Sequence, residues 1–277
     1  IVPFTRGRER SRSLSGITKE VSQAVNQGFS EITLLGQNVN SYDFEGIKFP
    51  ELLSVVAEIT GVQRIRYTSP HPQDINEELL EIMQKYKNIC NYIHLPLQAG
   101  SDRILKRMNR TYTKEHFIEL ALKIRDYLPG VGISTDIIVG FPGETDDDFE
   151  DTIDVMKKVN FDSAYTFKYS PRKGTKATEY DDQIKESVKQ DRLSRVIDLQ
   201  KSHTLLRNEA FIGNIENVLI EKKSKRNKSM WTGRTDSNKW VVFDKSGYNV
   251  NDIVPVLITE SRGITLHGKI SKKVKAA

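Results

Sequence analysis

Five polar loops, four of them glycine-bearing, are the parts of this 277-residue sequence equipped for chemistry, and each follows a short β-forming run. They are Gly36-Gln37-Asn38-Val39-Asn40-Ser41-Tyr42, Ser69-Pro70-His71-Pro72, Gln98-Ala99-Gly100-Ser101, Asp136-Ile137-Ile138-Val139-Gly140-Phe141-Pro142-Gly143-Glu144-Thr145 and Ser170-Pro171-Arg172-Lys173-Gly174-Thr175. Glycines let a ligand approach the main chain, the amides of Gln37, Asn38 and Gln98 can fix its orientation, and Arg110 or Arg172 can pair with a carboxylate. Singly, each has a plainer reading: Gly140 to Gly143 as a turn, Thr145 with Asp148 as a helix cap, His71 between prolines as a rigid corner. Their concentration at every strand end favours a polar ligand site. There is no Walker loop, G-x-G-x-x-G, nucleophile elbow or His/Cys metal-ligand spacing, so no catalytic or metal-binding residue is assigned in this chain.

The elements that must position these loops are legible as an alternation. β-rich runs at 31–35, 63–69, 91–97, 132–140 and 163–169 are separated by helical periodicity at 16–26, 50–60, 76–86, 113–127 and 145–159, the pattern of a parallel sheet with crossover helices. Such folds build their sites from the loops at the C-terminal strand ends. Five strands are too few for a closed eight-stranded barrel, which predicts an open sheet or a partial barrel lacking its first strand. A charged amphipathic stretch at 185–209 leads to β runs at 217–221, 230–235, 239–243, 252–259 and 264–270, which predict a small separate β-barrel. The expected domains are 1–209, including the linking helix 185–209, and 210–277.

Composition narrows the classes. With 37% hydrophobic and 29% charged residues, no apolar run approaches bilayer length and no secretory leader is visible, so a soluble chain without membrane contact is expected. The one cysteine, Cys90, excludes an intrachain disulfide or a thiolate metal site and points to a reducing cytoplasm. Residues 211–277 carry 13 Lys and Arg against 6 Asp and Glu, whereas residues 1–210 carry 29 against 31. A basic end on a neutral body suits a polyanion partner.

Read in order, the loops resemble the radical S-adenosylmethionine methylthiotransferases, most closely the tRNA-modifying MiaB type. The residues that carry the likeness are Ile1 to Glu9 with Ser11-Arg12, Leu34-Leu35-Gly36-Gln37-Asn38-Val39-Asn40, His94 to Asp102, Ile138 to Thr145, and Tyr169 to Thr175. The resemblance implies a partial (β/α) TIM-like radical SAM barrel followed by a small all-β TRAM barrel. It implies S-adenosylmethionine (SAM) and two 4Fe-4S clusters in the intact protein, held by cysteines of an N-terminal domain and of a C-x-x-x-C-x-x-C loop that are not in this sequence. It further implies transfer of a methylthio group to C2 of N(6)-isopentenyladenosine at position 37 of tRNA, an electron donor as partner, and a monomer. Threonylcarbamoyladenosine in tRNA or a ribosomal protein is the alternative substrate, and an RNA-binding module without catalysis the alternative class.

By matched position, the resemblance implies that Gln37 and Asn38 meet the methionine amino group, that Ser69, Gln98 and Ser101 contact hydroxyls or the carboxylate, and that Arg110 pairs with the carboxylate. Asp136, Ile138 and Gly140 would pack on the adenine of SAM, although Asp136 stands where the family has a glycine; Arg172 would face SAM or substrate. Cys90 matches no cluster ligand and reads as a small buried hydrophobe. For RNA, Lys222, Lys223, Lys225, Arg226, Lys228, Arg234 and Lys239 with Trp231 and Trp240 suit phosphate contact plus stacking, with a barrel core as the other reading of each tryptophan. Arg6, Arg8, Arg10 and Arg12 form a second basic patch.

Overall fold

A computed structural model describes residues 10–68 and 70–272 of the chain. Arg6, Arg8 and Ser69 lie outside the described residues.

The first unit is a parallel sheet whose helices are set by local signals. Strands β1 (Glu31–Leu34) and β4 (Arg64–Tyr67) pair in parallel, as do β5 (Tyr92–His94), β6 (Gly132–Val139) and β7 (Ser163–Lys168); a bridge from Ile65 to Ile89 joins the two groups. A two-residue hairpin, β2 (Asp43–Phe44) and β3 (Ile47–Lys48), decorates the first crossover. Helices α1 (Leu14–Asn26), α3 (Glu77–Lys85) and α5 (Lys114–Tyr127) start on Ser13, Asn76 and Thr113, whose side chains each accept from the amide three residues on. In α6 (Asp146–Val159), Thr145 and Asp148 form a reciprocal capping box and left-handed Asn160 ends the helix. Helix α2 (Phe49–Ala57) carries Pro50 in its first turn. The outward residues of β6, namely Ile133, Thr135, Ile137 and Val139, are fully buried under the helices with Phe49, Phe117, Phe149 and Phe161. The sheet does not close, as expected from its strand count.

The six-residue helix α4 (Asp102–Arg107) has no counterpart in the sequence pattern because it is too short to show a period. Helix α7 (Glu186–Glu209) differs in kind from the amphipathic expectation: its buried seam is Lys189, Arg192, Val196, Gln200, Thr204 and Asn208, almost all polar and mostly four residues apart. Each polar member finds a main-chain or ionic partner, such as Gln200 Nε2 on Phe161 O at 2.9 Å and Arg192 on Glu144 at 2.7 Å. The second unit is a closed barrel ordered β10-β12-β11-β8-β9. Its strands are β8 (Ile215–Lys223), β9 (Met230–Arg234), β10 (Trp240–Asp244), β11 (Ile253–Arg262) and β12 (Thr265–Ile270), with the β10–β12 pair parallel. This is the topology of a five-stranded oligonucleotide-binding barrel.

The β9–β10 turn of the barrel is clamped beneath the N-terminal ends of β4 to β7. Arg64 donates to the carbonyls of Arg234 (2.8 Å) and Asn217 (2.5 Å), and Arg66 to those of Thr235 (2.6 Å) and Asp236 (3.0 Å). Beside them Asp162, 5% exposed, takes Lys239 at 2.8 Å, Arg207 at 3.1 Å and the Ile133 amide at 2.9 Å. Burial works to raise the Asp162 pKa, but Lys239, Arg207 and that amide hold it below the ordinary carboxylate range. Asp162→Ala strands buried cations and is expected to cost about 3–5 kcal/mol, read from the denaturant midpoint. Because the folded-state pKa is depressed, this contribution is full above the unfolded value of about 4 and fades as pH falls. A gap between wild type and variant that stays constant from about pH 7 to about pH 3 contradicts the assignment.

Candidate functional site

The concave face of the sheet is built by period-2 alternation along three strands. Register places His94, Ser134 and Ser163 in one row, Asp136 beside Tyr165 in the next, and Ile138 beside Phe167 nearest the C-terminal ends. Tyr165 and Phe167 are 57% and 52% exposed, unusual for aromatic rings in mid-sheet. His94 Nε2 stands 3.3 Å from Asp136 Oδ2, and Tyr165 meets the imidazole edge-on with centroids 5.9 Å apart. Behind them His94 Nδ1 lies 2.7 Å from Ser134 Oγ, which is 2.5 Å from the Tyr92 hydroxyl. Burial raises the Tyr92 pKa, with the Asn238 side chain of the β9–β10 turn working to lower it.

Above this face the strand-end loops are cross-tied. Asn38 and Asn40 both accept from the His71 amide, at 3.2 and 2.8 Å, and Asn38 also donates to Asp74 at 2.8 Å. Asn38 is thus a link between the first two loops, while Gln37 is exposed on a cleft of about 810 Å³ along β1 with Arg10, Arg12 and Leu35. Gln98 takes a left-handed φ of 68° so that its main chain can bridge Asp136 O and Ile138 N, each at 2.8 Å. Ser101 is corrected: its buried hydroxyl is 2.5 Å from Asp148, inside the α6 cap that also binds Arg103 and holds the Asp148 pKa well below its usual range. Burial opposes that depression.

Arg110 is half-buried, and among the described residues its guanidinium has no hydrogen bond or ion pair; burial first, and then the Arg110 charge, lowers the pKa of His71. The same charge opposes the burial that pushes the neighbouring Tyr112 hydroxyl up to about 12. Gly140 turns at φ 71°, its amide 2.5 Å from Glu144 Oε2, which Arg192 holds in turn. Arg172 is exposed on the last loop. Cys90 is 3% exposed and burial pushes its thiol up to about 11, as fits a packed hydrophobe.

The RNA candidates divide. Lys222, Lys223, Lys225, Arg226 and Lys228 line the outer surface of the barrel, and Arg10 and Arg12 are exposed at the cleft, Arg12 2.6 Å from Glu20. Trp231, Arg234 and Lys239 are corrections. Trp231 is in the barrel core with Val218, Phe243 and Val256; Arg234 is held by Glu221 and Asn238; Lys239 is 6% exposed on Asp162. Trp240 is half-exposed with Lys222 and Arg234 over its ring. Tyr92, His94, Ser134, Tyr165 and Phe167 escape the sequence reading as site residues, although their i, i+2 spacing carries the signal.

Comparison with known proteins agrees with this geometry. A model described as the Radical SAM superfamily matches residues 2–156, and one described as the TRAM domain matches residues 209–271. A relative from Acetivibrio thermocellus, named tRNA-2-methylthio-N(6)-dimethylallyladenosine synthase, is 48% identical over 98% of this chain and 57% of its own length. One of the same name from Fusobacterium nucleatum is 48% identical over 98% of this chain and 63% of its own. The chain therefore spans about three fifths of the length of these relatives. Among solved structures, coproporphyrinogen III oxidase (HemN) from Escherichia coli, titled a radical SAM enzyme, has a TM-score of 0.52 at 11% identity, covering 80% of this chain and 60% of that one; a likeness at that identity concerns the fold alone.

The strand-end geometry gives one direct expectation. A Cβ on Gly140 would lie 2.4 Å from Lys189 Cγ, in addition to the strain of a positive φ. At Gly130, with φ 76°, a Cβ meets nothing within 4 Å. Thermal unfolding should show Gly140→Ala to be the costlier of the two by more than about 1 kcal/mol; equal midpoints would show that the Lys189 stem yields freely.

Proposed function

The chain belongs to the Radical SAM superfamily, and from that premise we propose that it serves methylthiolation at C2 of N(6)-isopentenyladenosine at position 37 of tRNA. What carries the reading is a likeness of 45–48% over 98% of this chain, sheet and barrel alike, to relatives named for that chemistry. We take 1–209 as the SAM-facing unit and 210–277 as the unit that grips RNA. The basic barrel surface at residues 222–228 suits the anticodon stem-loop, because cations that neutralise phosphates release condensed counterions. Among the described residues no helix is long and apolar enough to cross a membrane. We take the enzyme to be cytoplasmic and monomeric, served by a separate electron donor.

The residues present suit SAM better than they suit a cluster. An unpaired, half-buried guanidinium at Arg110 is placed to meet a carboxylate, Gln37 stands exposed in the first loop, and Ile138 offers an apolar contact for a flat base. SAM, when bound, supplies the radical and the methyl group. The chain's own part is to orient it, to exclude water and to hold the target base. For the two 4Fe-4S clusters the residues do not fit: Cys90 is buried away from the strand ends, and no group of three or more His, Cys, Asp or Glu among the described residues could hold a metal.

Two measurements test this reading. Deleting the encoding gene should remove the methylthio nucleoside from total tRNA and accumulate N(6)-isopentenyladenosine, as read by mass spectrometry; an unchanged tRNA profile sinks the assignment. Exchanging Lys222, Lys223, Lys225, Arg226 and Lys228 for glutamine should weaken stem-loop binding and flatten its salt dependence by about 0.7 in log–log slope for each phosphate that is no longer neutralised.

A further inference from the structure

The hydrogen bonds beneath the concave face can be assigned a direction. His94 faces Asp136 through Nε2 at 3.3 Å, and in a neutral imidazole the carboxylate charge favours the proton on that nitrogen. Nδ1 is then the acceptor for the Ser134 hydroxyl at 2.7 Å, Ser134 Oγ accepts from the Tyr92 hydroxyl at 2.5 Å, and the Asn238 side-chain amide faces Tyr92 from below. Every donor in this relay points toward Asp136, and the relay begins in the other structural unit, at a residue held in a left-handed turn of φ 67°. That turn cannot drift, because Arg64 and Arg66 grip its carbonyls and a Cβ on Gly132 would meet Ser237 O at 2.4 Å. The result is a carboxylate that turns one oxygen to His94 and stands between an exposed Tyr165 ring and the apolar rung of Ile138 and Phe167.

Resting on the tRNA reading above, we propose that this row reads the target base. The adenine stacks on Tyr165, Asp136 accepts the one N–H left on its alkylated exocyclic nitrogen, and the alkyl group lies on Phe167. Asn238 is a positioning residue: through Tyr92 and Ser134 it sets which nitrogen of His94 carries the proton, and so which way Asp136 faces. Nucleobases are read in this manner elsewhere, by an aromatic face together with an edge acceptor. Asp136 thereby leaves the SAM adenine and joins the substrate. An N(6) substituent that ends in its own carboxylate would meet Asp136 with like charge.

The test uses the full chain and three anticodon stem-loops that differ only at the target nucleotide: N(6)-isopentenyladenosine, unmodified adenosine, and an N(6),N(6)-dialkyl adenosine with no exocyclic N–H. The wild type should prefer the first over the third by about tenfold, since a built acceptor left unpaired rejects the analogue. Asp136→Ala should abolish that preference while leaving affinity for the unmodified loop, which phosphates dominate, within about twofold. Phe167→Ala should narrow the gap between isopentenylated and unmodified loops. Without RNA, ¹⁵N spectra of the histidines should show His94 with Nε2 protonated, and Tyr92→Phe or Asn238→Ala should move those signals; a purely structural turn would leave them in place. Wild-type binding of all three loops with equal affinity overturns the inference and spares the tRNA reading. Absence of any salt-sensitive RNA binding overturns both.

Discussion

The carboxylate of Asp162 is the constraint on which the two units depend. Buried at the start of β7, it faces Lys239 from the barrel and Arg207 from α7, and its second oxygen takes the amide at the start of β6. Taking these charges out of water is unfavourable, so the arrangement persists only because each has a partner at close range. Removing the carboxylate leaves both cations uncompensated. The same point fixes the long helix, the last strand and the β9–β10 turn relative to one another, which is why the barrel sits under the sheet as a floor.

With that floor in place, the polarity of the concave face makes physical sense. Its lower residues, Tyr92, Ser134 and His94, are hydrogen-bonded to one another above the barrel turn and need no ligand to be satisfied. The upper row, Asp136, Tyr165 and Phe167, is not closed in this way and presents an acid with exposed rings toward the strand ends. Loops that bear Gln37 and Arg110 stand above. A site graded from satisfied to unsatisfied in this sense can hold one rigid geometry while keeping its reactive end open to ligand.

Helix α7 shows the same economy. Its seam of Lys189, Arg192, Gln200, Thr204 and Asn208 hands hydrogen bonds to Tyr169 O, Glu144, Phe161 O, Asp162 O and Gly263 O. These are main-chain carbonyls and one carboxylate at the rim of the sheet and at the barrel. A hydrophobic seam would pack equally well but would leave those acceptors unpaired. The helix is therefore a polar strut whose register is defined by partner atoms.

The alternation of strand and helix, the cap at Thr145, the helix starts at Asn76 and Thr113, the five barrel strands and the loop positions were all legible in the sequence, because each depends on neighbours within a few residues. So were the burial of Cys90 and the basic surface of residues 222–228. What the sequence left open was partnership between distant residues. Ser101 was equally compatible with a ligand or with Asp148, Trp231 with RNA or with a core, and Arg234 and Lys239 with phosphate or with nearby acids. Only the tertiary fold chose, by bringing Asp148, Glu221 and Asp162 within hydrogen-bond range. The concave row of His94, Asp136 and Tyr165 emerged for the same reason: strands separated by dozens of residues acquire a common face only once their register is set, and register is a property of the sheet.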